Sequence, residues 1–252
     1  MIKNAFQILI TNKSNHIPPL LESAQNSFKN ALPGHSYTLY NKEMIETLLK
    51  KEFNIDVLNA FKKLKPRAFK ADLARYCIAY KYGGWYADIT IKMIKIINFN
   101  NENIEFLGFI DIGNGVRPYT LSYPVQSSLF YANKGSKIMN KAIELIVSNC
   151  KTEYYGTTPT SPTGPGILGR AIAYYGLQNN HIIGHFMPLT PNHQNKNRSY
   201  ILPDGAILAL HKDAWLKDAK PAQILEFGIE DGDNYLDMYT EKNIYNSTIL
   251  EI

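Results

Sequence analysis

The chain has 252 residues, 45% hydrophobic and 19% charged, a balance that predicts one folded globular domain and excludes a disordered one. Its formal charge of +5 and pI near 8.9 suit an anionic ligand such as a nucleotide diphosphate, an acidic glycan or the inner face of a membrane. No stretch approaches the roughly 18 apolar residues of a membrane span, and the opening MIKNAFQILITNKSNH lacks a small-residue cleavage pattern, so a cytoplasmic location is expected. Cys77 and Cys150 are too few for a disulfide scaffold and too far apart for a zinc-ligand pair, so both read as buried free thiols.

In chain order, AFQILI (5–10) reads as a buried strand and IPPLLESAQNSFKNALPG as a helix, with Leu21, Ala24, Phe28 and Ala31 at helical spacing. SYTLY (36–40) is the next strand, which makes the opening a βαβ unit of a parallel sheet. Two amphipathic helices follow, over KEMIETLLKKEF and DVLNAFKKL. From Pro66 to Tyr82 the pattern is again helical, and Gly83-Gly84 stops it. ITIKMIKII (89–97) alternates at period two and predicts a half-buried strand, with further strands at EFLGFIDI and SLFYA. Helices return at SKIMNKAIELIVSN and GILGRAIAYYG, and short strands and loops run from HIIGHFMPL through YILPDGAILALH to a polar end containing EDGDNY. The expected fold is α/β, a Rossmann-like mixed sheet flanked by helices, as one domain over 1–252 with a first half to about residue 100, a second half beyond it, and a less regular carboxyl part.

Chemistry concentrates around the glycine break. Asp72 and Arg75 lie three apart on a helix and share a face, and Tyr86 and Asp88 lie two apart on the following strand and share another. Brought together at one end of a sheet, they offer a guanidinium and a carboxylate for sugar hydroxyls, an aromatic wall, and a second carboxylate for a ribose or metal ion. Taken alone, Asp72 and Arg75 also read as a surface ion pair and Gly83-Gly84 as a helix cap. Trp85 reads as core, which turns Tyr86 toward the site.

KADLARYCIAYKYGGWYADIT resembles the donor-site signature of retaining GT-A glycosyltransferases with an Asp-x-Asp motif, a group that includes yeast-type initiating mannosyltransferases, bacterial capsular sugar transferases and the large clostridial glucosylating toxins. The pattern is carried by Asp72, Arg75, Tyr80, Gly83, Gly84, Tyr86 and Asp88, with every spacing kept. SPTGPGILGRAI resembles the family's Thr-Gly-Pro helix entry, and ALHKDAW its closing His-to-Trp segment, with His211 and Trp215 at the matching positions.

The resemblance implies that Asp72 and Arg75 hold the donor sugar, that Asp88 faces the ribose and a divalent cation, and that Tyr86, Gly84, His211 and Trp215 complete the nucleotide-sugar site. The cation, manganese or magnesium, would bridge the two phosphates, and Trp215 would exclude water. Thr90 stands where the family has its second acid. The resemblance gives the first half, to about residue 100, to the nucleotide sugar and the second to the acceptor. Three outcomes stay open: a metal held by Asp88, the diphosphate and a C-terminal oxygen, with Thr90 a weaker ligand and Asp213 able to replace the missing acid; a metal-independent enzyme using Lys92, Lys212 or Lys217; or a protein without catalysis. The implied activity is retaining transfer of a hexose from a nucleotide diphosphate sugar, UDP-sugars favoured, to a glycan or lipid-linked acceptor in bacterial surface polysaccharide synthesis. The alternatives are a silent nucleotide-sugar binder and a protein-modifying effector.

The other motifs read blandly. GPGILGR lacks the Gly-Lys-Ser/Thr of a phosphate loop, EDGDNYLD lacks the terminal glutamate of a calcium loop, and the intervals of His181, His185 and His193 do not converge on a metal. KKLKPRAFK (62–70) reads as a solvated helix end, with peripheral contact to anionic lipid as its alternative. No nucleic-acid motif accompanies the positive charge.

Overall fold

The computed structural model describes residues 1–11, 17, 19–98, 103–111, 124–189, 197–216 and 233–247. The first apolar run forms β1 (Asn4–Ile8), crosses over through α1 (Pro19–Ala31) and returns as β2 (Ser36–Tyr40), parallel, with Asn4 opposite Ser36 and Ile8 opposite Tyr40. This is the expected βαβ unit. Asn41 and Asn54 then start α2 (Lys42–Glu52) and α3 (Ile55–Lys63), each side chain accepting a backbone N–H that the first turn leaves open.

Next comes α4 (Arg67–Tyr82), which buries Phe69, Leu73, Tyr76 and Cys77 as well as Asp72 and Arg75. A helix with an apolar circumference is an interior helix, and α4 lies between the sheet and the outer helices. Gly83 ends it at φ 68°, its N–H bonding back to Ala79, and Gly84 at φ 107° opens β3 (Gly84–Ala87). Neither position accommodates a side chain. A Cβ on Gly83 would meet Ile2 Cδ1 at 2.5 Å and the Lys134 nitrogen at 2.6 Å, and one on Gly84 would meet Asn4 O at 2.2 Å. The sharp break therefore lets β1 and the chain after a later strand close on the turn.

The period-two stretch after this break is not one strand. The Ile91 N–H bonds to Asp88 O at 2.9 Å, so the chain turns just beyond β3, and only β4 (Lys92–Met93) is a strand, at the far edge of the sheet. Ile91 and Met93 are buried as the alternation requires, while Ile94 and Ile96 are 51% and 61% exposed. Alternation marked the buried side but could not supply a strand partner.

The remaining elements among the described residues are β5 (Phe106–Asp111), β6 (Leu129–Ala132), α5 (Lys137–Thr152), α6 (Pro165–Tyr175), β7 (His181–Pro188), β8 (Arg198–Ile201), β9 (Ile207–Leu210), α7 (Lys212–Trp215) and α8 (Tyr235–Thr240). Among the described residues nine strands form one sheet in the order β2-β1-β3-β6-β5-β7-β8-β9-β4. Because β6 stands between β3 and β5, and β4 pairs with β9, both expected halves contribute to a continuous sheet. Its two faces carry separate apolar cores, with Phe6, Tyr86 and Phe130 on the α4 side and Ala5, Trp85 and Tyr131 on the other.

The basic run 62–70 is not the solvated surface its composition suggested. Lys63 pairs with Glu153 at 3.0 Å, Arg67 with Asp233 at 3.3 Å, and Lys65 bonds to Asn243. Lys70 donates to Phe61 O at 2.8 Å, and burial pushes its ammonium down to about 8. Cys77 and Cys150 are buried free thiols, as expected. No helix among the described residues is long and apolar enough to cross a membrane.

Candidate active site

Strands β1, β2, β3, β5, β7 and β9 all point the same way. At their carboxyl end lie Asp88 after β3, Asp111 ending β5 and His211 after β9, together with Lys92 and Arg198 at the starts of the reversed strands β4 and β8. This is the end where open α/β sheets bind ligands.

The helix and strand faces read from the sequence do converge here. Arg75 Nη2 lies 3.2 Å from Asp72 Oδ1 and 3.3 Å from Asp88 Oδ1, so one guanidinium joins both carboxylates. Its Nε donates to Ala71 O, and Nη1 donates to Ser127 O at 2.8 Å and Ser127 Oγ at 3.1 Å. Of its five N–H donors, three are hydrogen-bonded within the protein, and the Nη2 group faces the two carboxylates at ion-pair distance. Arg75 is 5% exposed and stacks over the Tyr86 ring at 4.8 Å, so any effect on a ligand runs through the acids it holds. Burial opposes its charge, but Asp88, Tyr86 and Asp72 more than offset this and keep it a cation.

Asp72 is 8% exposed; its Oδ2 accepts from Thr163 Oγ1 at 2.7 Å, while Oδ1 faces Arg75 and Ser127. Burial raises its pKa, with Arg75 and Thr163 pulling the other way. Gly164 admits this arrangement, since a Cβ there would lie 3.2 Å from Thr160 O and 3.5 Å from Asp72 Oδ2. Tyr86 is 1% exposed, wedged between Phe6 and Phe130, and its hydroxyl donates to Asp88 Oδ1 at 2.5 Å. Its pKa stands well above that of an ordinary phenol, chiefly through burial. The ring is thus interior, and the hydroxyl aims Asp88. Asp88 has its N–H on Ser128 O at 2.8 Å, and its Oδ2 has no protein partner among the described residues. Gly84 stands at the opposite end of β3, about 13 Å away at strand rise, where it serves backbone packing against Asn4.

The closing segment reaches the same place. Trp215 Nε1 donates to Thr90 O at 3.0 Å, and Lys92 Nζ lies 5.0 Å over the indole. His211 caps α7 and stacks edge-on against Phe186; burial lowers its pKa, so the ring is neutral near pH 7. Its Nδ1 accepts from the Asp213 N–H at 3.5 Å, faces Arg198 Nη2 at 3.5 Å and lies 2.9 Å from Asp213 Oδ1. Asp213 also pairs with Arg198, and although burial works against its charge, these partners hold it below the usual carboxylate range. Lys217 and His193 lie outside the described residues.

Several participants were not singled out from the sequence. Ser127 and Ser128 sit on the stretch entering β6, Ser128 Oγ shares a 2.6 Å hydrogen bond with Tyr200, and Gln126 donates to Asp111 Oδ2 at 2.6 Å. Arg198, from β8, stacks on Phe186 and ties down the closing segment through Asp213. The GVRPYTLSYPVQSS context carries no spacing that marks these serines, and Arg198 lies in a polar loop-to-strand boundary that gives no signal.

Residues 18–106 match a family model described as a glycosyltransferase sugar-binding region containing a DXD motif. The chain is an enzyme of the glycosyltransferase class. A solved structure titled "PaToxG Glycosyltransferase" shares the fold at a TM-score of 0.51 and 15% identity, over 69% of this chain and 69% of that one. No curated protein matches. The glycosyltransferase thus combines a GT-A-like mixed sheet with a match to a sugar-binding region, and Asp88-Ile89-Thr90 lies within the matched residues.

Glycosyltransferases of the DXD type generally bind a divalent metal. In this enzyme Asp88 Oδ1 is held by Tyr86 and Arg75, Thr90 supplies a hydroxyl, and the oxygens of Asp213 are turned to Arg198 and His211. Among the described residues no three acids, histidines or cysteines form a metal-binding group. The donors fit a cation carried largely by the phosphates of a substrate and touched by one carboxylate oxygen, the mode usual for magnesium, and do not fit a cage built by protein alone.

Proposed function

We propose that the enzyme transfers a hexose from a nucleotide diphosphate sugar, a UDP-sugar by preference, to a glycan or lipid-linked acceptor with retention at the anomeric carbon. The observation that supports this most is the single guanidinium of Arg75 bridging Asp72 and Asp88 at the carboxyl end of the sheet. A carboxylate has about four acceptor positions, and those of Asp72 not taken by Arg75, Ser127 and Thr163 accept hydroxyls of the donor sugar. Asp88 presents Oδ2, left open by Tyr86 and Arg75 on Oδ1, to the ribose and to a cation of the diphosphate. Asp88 would hold such a cation, manganese or magnesium, which would supply charge neutralisation for the leaving phosphates. Arg75 and Tyr86 position the two acids without touching substrate.

Transfer breaks the bond between the anomeric carbon and the β-phosphate oxygen and forms one to the acceptor oxygen on the same face, the acceptor proton passing to the departing diphosphate. Trp215, fixed to Thr90 O, covers the donor so that acceptor and not water attacks. Lys92 and Lys212 stand near the closing segment and offer charge to the diphosphate.

The thermal unfolding midpoint measured against UDP- and GDP-sugars, with manganese, magnesium or chelator, tests this. At a donor concentration a hundredfold above its dissociation constant, binding adds about 2.7 kcal/mol, or about 5–10 °C for a chain of this length. No shift with any donor contradicts the proposal. Thr90 favours a second reading, a silent donor binder, and release of free sugar from the bound donor excludes it.

A further inference from the structure

The end of the molecule remote from Asp88 carries a feature that the transfer reaction does not use. Helix α6 begins beside Asp72 at Gly164 and runs 11 residues to Tyr175, so its far end lies about 16 Å from the site along the helix. Helix α5 is antiparallel to it: Asn149 near the end of α5 bonds to Pro162, while Lys141 near its start lies 4.2 Å over the Tyr174 ring. Lys137 and Lys141 are one turn apart on α5, and Arg170 and Tyr174 one turn apart on α6, so each pair shares a face. Lys134 precedes α5 at the same end, beyond Ala132, whose strand partner is Gly84.

The result is a continuous basic and aromatic surface. Tyr174, Leu177 and Tyr175 are 66%, 54% and 38% exposed, and the two tyrosine rings meet edge-on at 5.0 Å. Lys134, Lys137 and Arg170 are exposed and form no ion pair among the described residues; of the acids at this end, Glu52, which feels Lys134, is paired with Lys81, and Glu144 is engaged by Lys141 at 3.0 Å and Asn140 at 2.7 Å. Tyrosines with an apolar body and a polar tip, ringed by unpaired cations, match the boundary between anionic headgroups and acyl chains. The run 62–70, by contrast, has Lys63, Lys65, Arg67 and Lys70 bound within the fold.

We propose that this end, with Lys134, Lys137 and Arg170 around Tyr174, Tyr175 and Leu177, docks on an anionic lipid surface. In that pose the Asp88 end points away from the bilayer. If the proposed transfer holds, the acceptor is then a glycan or glycan-bearing macromolecule approached from solvent and not a lipid carrier in the same leaflet. That consequence rests on the functional reading, but the docking does not.

Sedimentation of the full chain with vesicles of phosphatidylcholine, with and without phosphatidylserine, tests it. Binding is expected only to the anionic vesicles and to weaken with salt. Each lysine near such a surface contributes roughly fivefold, so K134E/K137E is expected to weaken binding about 25-fold or more. Y174S/L177S weakens it without changing the salt dependence. Both variants keep the wild-type thermal midpoint and donor hydrolysis, since these side chains are exposed and distant from Asp72. Equal binding to both vesicles, binding to neither, or undiminished binding by K134E/K137E overturns the proposal.

Discussion

Replacing Arg75 by methionine removes the one cation that joins Asp72 to Asp88, and the effect follows from burial. Asp72 is 8% exposed and keeps only hydroxyl partners, Thr163 and Ser127, once the guanidinium is gone. Removing one partner of a buried pair costs about 3–5 kcal/mol, and the Ser127 carbonyl loses its donor as well, about 1 kcal/mol more. Asp88, with a side chain 33% exposed, recovers solvation and adds little. Urea unfolding at pH 7 is therefore expected to show a loss of about 4–6 kcal/mol against wild type, a large part of a domain's total stability. The sign with pH is fixed by Asp72. Burial already raises its folded pKa above the ordinary aspartate value, and loss of Arg75 raises it further, so the folded variant binds more protons than the unfolded chain. The deficit is accordingly expected to shrink as pH falls toward the unfolded carboxylate pKa, and adding Asp72→Asn in the same background is expected to recover most of it at pH 7. A loss below about 1 kcal/mol at pH 7, or a deficit that does not change with pH, would refute the view that Arg75 neutralises a desolvated acid.

Three further outcomes are expected. Thr90→Asp supplies a second carboxylate beside Asp88 and should lower the manganese concentration needed for donor binding about tenfold or more; an unchanged requirement means the cation does not lie against residue 90. Trp215→Phe deletes the donor to Thr90 O, worth about 0.5–1.5 kcal/mol, and should raise the ratio of sugar hydrolysis to transfer, which a constant ratio would contradict. Lys70 is held at about 8 against 10.5 in the unfolded chain, so the unfolded chain binds the extra proton between those values and wild-type stability should rise with pH across that window; Lys70→Met should be the more stable protein below pH 8 and lack this slope in denaturant titrations.

The sequence carried the helical and βαβ framework well because local signals there agree with the tertiary environment. Asn41 and Asn54 cap where helices begin, and SYTLY (36–40) is strand β2 over its whole length. The convergence of Asp72, Arg75, Tyr86 and Asp88 was legible because helical and strand periodicity fix which residues share a face, and the two glycines fix the joint between them. Roles were less legible than positions. Whether Arg75 has a donor left over depends on Ser127 and Ala71, and whether Tyr86 shows its ring or only its hydroxyl depends on Phe6 and Phe130, contacts made across the fold. The 89–97 pattern misled because alternation reports a buried side and not a strand partner. The 62–70 run misled because its cations meet Glu153, Asn243, Asp233 and the Phe61 carbonyl, three of them far along the chain.

The central claim is that Asp88, aimed by Tyr86 and Arg75, serves a glycosyl donor, and release of free sugar from a panel of nucleotide diphosphate sugars tests it most directly. Wild type is expected to release sugar from one donor class. Asp88→Asn, with an unchanged thermal midpoint, is expected to fall by about a hundredfold or more. Full activity in Asp88→Asn, or no release by wild type from any donor, would contradict the account.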